Sequence, residues 1–379
     1  MTQFSTKSIH SGDHLRKTTD IAPPIHVSTT YSYDSNPANL IPGELTNPDT
    51  FVYSRENHPN AAAIEAIVED ITGYPAIVYN SGLSAFNAVM MHVNPKTIAI
   101  GQAYHGCIGI VEMWQRNFGL RKIDIESDDQ SDLLHLETPV NPYGLYFDIS
   151  KYAEKAHSKG ALLSIDSTFA PPPLIDPFKF GADIVIHSAT KFFGGHSDLL
   201  AGLVLVKSHD IKNKFLKDRL VLGTNIGNLE SALLVRSLRT LELRVKRQSK
   251  TAEFIVKFLN ENKHKIKDLE KIYHGSLQND DYISEQMNGH TPVFSIELVS
   301  EEKAKEFPSK LKYFYHATSL GGVESLIEWR AMSDPHISKK LLRISIGLED
   351  PRDLLQDLLN GLVDNQELTD KVRSLNIDY

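Results

Sequence analysis

The 379-residue chain is expected to fold as an α/β protein, with a mostly parallel central sheet and a smaller α+β domain toward its C-terminus. Three observations carry this expectation. From about residue 60, short apolar runs alternate with helix-like segments, the pattern of a parallel sheet covered on both faces. Hydrophobic content of 41% and charged content of 23% are those of an ordinary globular protein. Near residue 226 the sequence becomes long and helical, and after that it mixes strands with helices.

In order along the chain, residues 1–50 are polar and turn-rich, in PPIHVST and then DSNPANLIPGELTNPD. Such an arm wraps a neighbouring domain or subunit more readily than it folds alone. PNAAAIEAIVEDITGY has helical spacing, AIVYN is a short apolar strand, and SGLSAFNAVMMHV reads as a helix. TIAIG, LLHLE, ALLSID, DIVIHS and GLVLV follow as further strands. NLESALLVRSLRTLELRVKRQSKTAEFIVKFLNE is a long helical stretch. VFSIELV, YFYHATSL and LLRISIGLED belong to the smaller domain. In the last helix Asp350 can cap, Pro351 fits the first turn and Asp353 suits the positive dipole end. APPPL at 170–174 reads as a rigid loop rather than a polyproline ligand. The expected divisions are an arm at 1–50, a large domain at 51–245 and an α+β domain at 246–379.

Composition narrows the function. A net charge of −8 argues against nucleic-acid or anionic-membrane partners, which favour a basic face. Sixteen histidines include no HExxH and no Cys/His repeat, so no metal site is expected. One cysteine, Cys107, forms no internal disulfide, and a reducing compartment is the simple reading. The opening MTQFSTKSIHSG has no apolar core of a signal peptide, and no run approaches the roughly 20 apolar residues of a membrane span. A cytoplasmic location is expected.

Ligands of an open parallel sheet sit at the carboxyl ends of its strands. Asp166 closes ALLSID and Lys191 follows IVIHSAT, 25 residues on, enough for one crossover (191 − 166 = 25). A partly desolvated lysine is a nucleophilic amine able to form Schiff bases, and an aspartate opposite it can hold a pyridinium N–H. Both groups belong to a pyridoxal phosphate site, although a strand-end ion pair is the plainer reading of the two residues alone. NSGLSAF at 80–86 turns from strand to helix and would present the N–H groups of Gly82 and Leu83 to an anion. Ser188 and Thr190 could add hydroxyl donors. Taken alone, an SG turn of this kind is usually a plain helix cap.

Here the sequence resembles the cystathionine γ-synthase/γ-lyase family, pyridoxal-phosphate enzymes of the aspartate-aminotransferase-like fold (fold type I). The likeness runs through TKSIHSG, PPIHVSTTY, YSRENHPN, SGLSA, AYHGC, LETPVNPYG, IDSTFAPP, HSATKFFGGHSDLLAGL, RSLRTLELR, SLGGVESLI and LRISIGLED. It implies that 51–245 binds pyridoxal 5'-phosphate, that Lys191 holds the cofactor covalently and shuttles protons, and that Asp166 keeps the ring nitrogen protonated. It implies a stacking Tyr104 able to act as acid or base, and an Asn141 bonded to the cofactor's phenolic oxygen. Gly82, Leu83, Ser188 and Thr190 would hold the phosphate, joined by Tyr53 and Arg55 from a neighbouring subunit. Arg343 would clamp the substrate's α-carboxylate beside Ser319. The resemblance further implies a homo-oligomer of active-site-sharing subunits, a tetramer, acting on a small amino-acid substrate.

Several positions depart from the family. Val52 and Thr318 stand where members acting on cystathionine often carry an acidic residue. Ser167 replaces an asparagine, His105 and Cys107 follow the tyrosine where small residues and a threonine are usual, and the segment between Tyr104 and Glu137 is shortened. The implied activity makes or breaks a C–S bond at Cγ of a homoserine-derived amino acid, as a γ-synthase or γ-lyase does. Cystathionine β-lyase and O-acylhomoserine sulfhydrylase activities are the alternatives within the family. From other classes stand a catalytically silent binding or regulatory protein of the same fold, and a nucleotide binder, which lacks a GxGxxG or GxxxxGK[ST] loop.

Overall fold

Local side-chain chemistry sets most of the element ends. In the computed structural model, which describes residues 2–16, 18–42, 51–362, 368, 371 and 372, helix α1 spans Phe4–His10 and α2 spans Pro59–Thr72. The His58 ring caps α2 by accepting from the Ala61 N–H, Pro59 takes the first turn, and Gly73 closes it at φ +82°. Helix α3 (Gly82–Val93) starts at Ser81, whose hydroxyl accepts from the Ser84 N–H at 3.1 Å. Helices α4 (His105–Phe118), α5 (Ile149–His157), α6 (His209–Leu222) and α7 (Asn228–Leu238) follow. The long helical stretch is interrupted, because α7 stops at Leu238 and α8 begins again as Leu241–Glu261. Thr240 turns its hydroxyl back onto the Ser237 carbonyl at 3.3 Å, a local bond that competes with helix continuation. Helices α9 (Tyr282–Gln286) and α10 (Glu301–Glu306) precede α11 (Pro351–Leu362), where the Asp350 carboxylate accepts from the Arg352 N–H at 2.9 Å.

The chain divides into two compact units, Met1–Glu137 with Ile149–Thr168 and Asp176–Glu242, and Thr138–Asp148 with Phe169–Ile175 and Leu243–Tyr379. Of the expected arm, 43–50 lie outside the described residues, as does most of the chain after 362.

In the first unit β1 (Ala76–Tyr79), β2 (Thr97–Ile100), β3 (Arg121–Ile123), β4 (Leu133–Glu137), β5 (Leu162–Asp166), β6 (Ile184–Ser188) and β7 (Gly202–Val206) form one sheet, ordered β1-β7-β6-β5-β4-β2-β3. Every pair from β6 to β3 is parallel, and β7 is antiparallel to both its neighbours. Strand β1 therefore runs with β6, and β1, β2, β4, β5 and β6 all end at the same edge. Ile77, Phe86, Ile98, Val111, Leu133, Ile186, Val204 and Phe215 are among the fully buried side chains that pack one face of the sheet. The apolar runs of the sequence match these strands to within a residue. Edge strand β3 escaped that reading because Arg121 and Lys122 face solvent and break its apolar pattern.

The second unit holds β8 (Leu269–Tyr273), β9 (Val293–Leu298), β10 (Phe314–His316), β11 (Ser325–Trp329) and β12 (Leu341–Ser345), ordered β10-β11-β12-β9-β8. Its β10–β11 pair is parallel and the other pairs are antiparallel. Helices α8 and α11 supply Ile255, Leu259, Leu355 and Leu358 to a core shared with Phe294, Ile327 and Ile344. The fold is the expected α/β class with a mostly parallel central sheet and a second, α+β unit.

Candidate active site

At the carboxyl edge of the first unit's sheet, chain turns from β1, β2, β4, β5 and β6 come together. Lys191 follows β6 by three residues in a tight turn, its N–H donating to the Ser188 carbonyl at 3.1 Å and its carbonyl accepting from Gly195 at 2.7 Å. Asp166 ends the adjacent parallel strand β5, as one crossover requires. Thr168 fastens the two ends together: its N–H donates to Asp166 Oδ1 at 2.9 Å, and its Oγ1 accepts from the Ser188 N–H at 2.8 Å. Burial pushes the Asp166 pKa up, and the Thr168 hydrogen bonds pull it partly back. A carboxylate in such a place gains from a cationic N–H partner.

The third turn carries Gly82 and Leu83 at the N-terminus of α3, where first-turn N–H groups have no partner within the helix. A side chain at Gly82 would put its Cβ 2.9 Å from Ser188 Cβ, and one at Gly202 would put its Cβ 2.1 Å from the Ser81 carbonyl oxygen. The α3 end, the start of β7 and the turn that leads to Lys191 thus close on each other through glycine, leaving main-chain donors where a Cβ would otherwise stand. Thr190 is less open than the sequence suggested, because its Oγ1 accepts from the Ala201 N–H at 3.1 Å and donates to the Ala201 carbonyl at 3.3 Å.

Tyr104 precedes α4 after the β2 turn, with 40% of its surface exposed. Its N–H donates to Glu137 Oε2 at 2.6 Å, and Glu137 pairs in register with Asp166 across β4 and β5. Sequence reasoning missed Glu137, Thr168 and Gly202; an acid closing the fully buried strand LLHLE was the signal available for the first. Cys107 is buried, and burial together with the charges of Asp166 and Glu137 pushes its thiol pKa well up, so it is an inert thiol. Tyr53 and Arg55 are exposed, with the guanidinium carbon 5.4 Å from the Tyr53 ring centre and Nη1 donating to the Leu220 carbonyl at 3.2 Å. Val52 is half-buried beside them.

Within the second unit, Asn141, Ser319 and Arg343 are brought together. Buried Arg343 donates from Nη1 to Asn141 Oδ1 at 3.1 Å and from Nη2 to the Ser319 carbonyl at 2.7 Å. Ser319 has φ +73°, a left-handed backbone that a side chain rarely adopts. Arg343 also meets Glu328 at 2.7 Å, and Arg330 meets the same carboxylate at 2.8 Å. Both Glu328 and Arg330 are buried. Three acceptors therefore hold the guanidinium in one orientation. Thr318 is exposed.

These residues fit pyridoxal phosphate. The first unit offers a primary amine, a buried acid for the ring nitrogen, and a glycine-lined helix end for the phosphate. Among the described residues no cluster of His, Cys, Asp or Glu could hold a metal, and no helix is long and apolar enough to cross a membrane. Gly202→Ala should weaken cofactor binding by about tenfold or more, since the new methyl meets main chain that has no rotamer to yield. Titration of the cofactor's absorbance checks this, with Gly109→Ala, where a Cβ meets nothing within 4 Å, as the silent control.

A family model described as Cys/Met metabolism PLP-dependent enzyme matches residues 5–363. Cystathionine beta-lyase of Lactococcus lactis subsp. cremoris (strain MG1363) is 33% identical over 392 residues, covering 96% of this chain and 99% of that protein. Cystathionine gamma-synthase of Escherichia coli (strain K12) is 32% identical over 370 residues, covering 90% of this chain and 92% of that protein. The solved structure of metB from Corynebacterium glutamicum superposes with a TM-score of 0.86 at 30% identity, covering 96% of this chain and 98% of that one.

Proposed function

The chain belongs to the Cys/Met metabolism PLP-dependent enzymes, and on that premise we propose that it makes or breaks a C–S bond at Cγ of a homoserine-derived amino acid, as a cystathionine γ-synthase or γ-lyase does. The observation that carries this reading is the single edge of the sheet where Lys191, Asp166, Tyr104 and the α3 N-terminus converge. When bound, pyridoxal phosphate supplies an electron sink for charge left at the substrate's Cα.

The chain's own residues do the rest. The Lys191 amine removes the proton at Cα and then one at Cβ, the carbon whose charge expels the group on Cγ, and it returns protons to the product. Asp166 would keep the proton on the ring nitrogen, and Asn141 would offer its amide N–H to the phenolic oxygen, since its Oδ1 is taken by Arg343. Gly82, Leu83 and Ser188 would grip the phosphate, helped by Tyr53 and Arg55 of a second copy, and Thr190 would join them only by giving up the bond its hydroxyl donates to the Ala201 carbonyl. Arg343, with Ser319 beside it, binds the α-carboxylate through its pre-set fork. Tyr104 would cover one face of the ring and serve as a further acid or base.

A β-lyase reading is favoured by the likeness to the L. lactis cystathionine beta-lyase, and O-acylhomoserine sulfhydrylase activity is a third branch. The test is a substrate panel of cystathionine, cysteine, methionine and O-acyl homoserines with cysteine or sulfide, read by ketoacid and thioether products. We expect γ-replacement or α-ketobutyrate release. Pyruvate as the exclusive ketoacid would replace the Cγ assignment by β-elimination.

A homo-oligomer, as a tetramer of active-site-sharing dimers, is part of the same proposal. In its support, Ile21, Ile25, Val27, Tyr33 and Ile41 of the arm are each more than half exposed, apolar surface suited to a second copy. A cytoplasmic setting accords with the single, buried thiol.

A further inference from the structure

We propose that Glu137 is a positioning residue that sets the Tyr104 ring, so that the ring's hold on the cofactor depends on a side-chain hydrogen-bond acceptor the family reading leaves without a role. The inference rests on the reading of Tyr104 as the stacking residue and deepens it.

The ring is fixed from two sides. At its backbone, Tyr104 is the residue before α4, a 14-residue helix that has no side-chain cap. Its N–H goes instead to Glu137 Oε2 at 2.6 Å, the short distance of a charge-assisted bond. Glu137 is buried at the end of β4, inside the sheet's ladder, and cannot wander. The carboxylate also lies at the positive end of α4. At the ring edge, a Cβ on Gly106 would stand 2.7 Å from Tyr104 Cε1 and 2.7 Å from Leu83 Cδ2. The ring edge thus lies close over Gly106, as does the Leu83 side chain, with 40% of Tyr104 still exposed. Leu83 itself belongs to the helix end assigned to the phosphate. Loss of the Glu137 acceptor releases the Tyr104 N–H, while the Tyr104 carbonyl stays bonded to the Cys107 and Ile108 N–H groups at 2.9 and 3.2 Å, and so lets the residue pivot and the ring swing on its seat. A bland role exists, in which Glu137 only stabilises the start of α4; it makes a different prediction.

The experiment titrates pyridoxal phosphate back into the full-length protein after the cofactor is removed, reading the dissociation constant and the visible circular dichroism of the bound cofactor. Glu137→Ala should weaken binding about tenfold, the scale of one aromatic stacking contact, and should diminish the dichroic band. Glu137→Gln keeps an acceptor for the Tyr104 N–H and should stay within about threefold of the parent. In a Tyr104→Ala background, Glu137→Ala should add less than about twofold, because residues acting through one another are not additive. Equal losses in the two backgrounds would overturn the proposal in favour of the purely structural role. A glutamine variant as weak as the alanine one would also overturn it, since charge rather than the hydrogen bond would then be responsible. If Tyr104→Ala alone leaves the dissociation constant unchanged, the stacking reading itself is wrong and the inference goes with it. Should Glu137→Ala fail to fold, Gly106→Ala displaces the same ring from its other side and should give the same loss of dichroism.

Discussion

Lys191→Ala is expected to lower turnover by roughly ten-thousandfold or more, the upper range for loss of a proton-transferring group, and here the nucleophilic amine is lost with it. The change is clean because the turn around residue 191 is held by main chain, through the Ser188 carbonyl at 3.1 Å and the Gly195 N–H at 2.7 Å. Alanine keeps both bonds, so a loss of rate reports chemistry rather than folding. A second readout is independent of substrate. Borohydride should fix the cofactor irreversibly to the parent protein, with the mass gain on the peptide containing Lys191, and the alanine variant should gain none. A Lys191→Ala protein with parental activity would end the mechanism outright.

The largest effect on stability is expected at Glu328. Its carboxylate lies 2.7 Å from Arg343 and 2.8 Å from Arg330, and its second oxygen accepts from Ser333 Oγ at 2.6 Å. All three charged residues are buried, at 2%, 5% and 6% exposure for Glu328, Arg343 and Arg330. Glu328→Leu leaves two guanidinium groups enclosed without their counter-charge, and removal of one partner from a buried ion pair destabilises by about 3–5 kcal/mol. Urea unfolding followed by circular dichroism measures it. The contrast is Asp70→Ala, which deletes the exposed Lys7–Asp70 pair, with side chains 30% and 46% accessible, and should change stability by less than about 1 kcal/mol. An equal effect of the two substitutions would show that Glu328 is not the counter-ion the geometry makes it.

Sequence alone revealed what depends on short-range pattern. Fully buried strands such as GLVLV and LLHLE announce themselves because both faces are covered, and every position is apolar or nearly so. Strand β11 did not, since Glu328 interrupts SLIEW and its burial is compensated by Arg343, Arg330 and the Ser333 hydroxyl, partners no apolar pattern records. Strand β8 sets two adjacent charges, Glu270 and Lys271, between Leu269 and Ile272 in LEKIY, a spacing readable also as one turn of a helix. In the candidate site, the placement of Asp166 at a strand end and of Lys191 just beyond one was legible because a strand end is itself a local signal. Glu137 was not, as its partner Tyr104 lies 33 residues earlier and uses a main-chain N–H that no motif records. Thr190 shows the converse: a hydroxyl that looked available is engaged by Ala201, eleven residues on.

The glycine contacts between the α3 end, the Lys191 turn and β7 bear on any effort to redesign this protein. Enlarging residue 82 meets the Ser188 Cβ at 2.9 Å, which no change of rotamer moves, so the exchange that relieves it is glycine at 188, and two mutations together could achieve it. Residue 202 has no such escape, because what opposes it is the carbonyl of Ser81. In a library randomised at these three positions, survivors should therefore vary at 82 and 188 in concert, while 202 stays glycine.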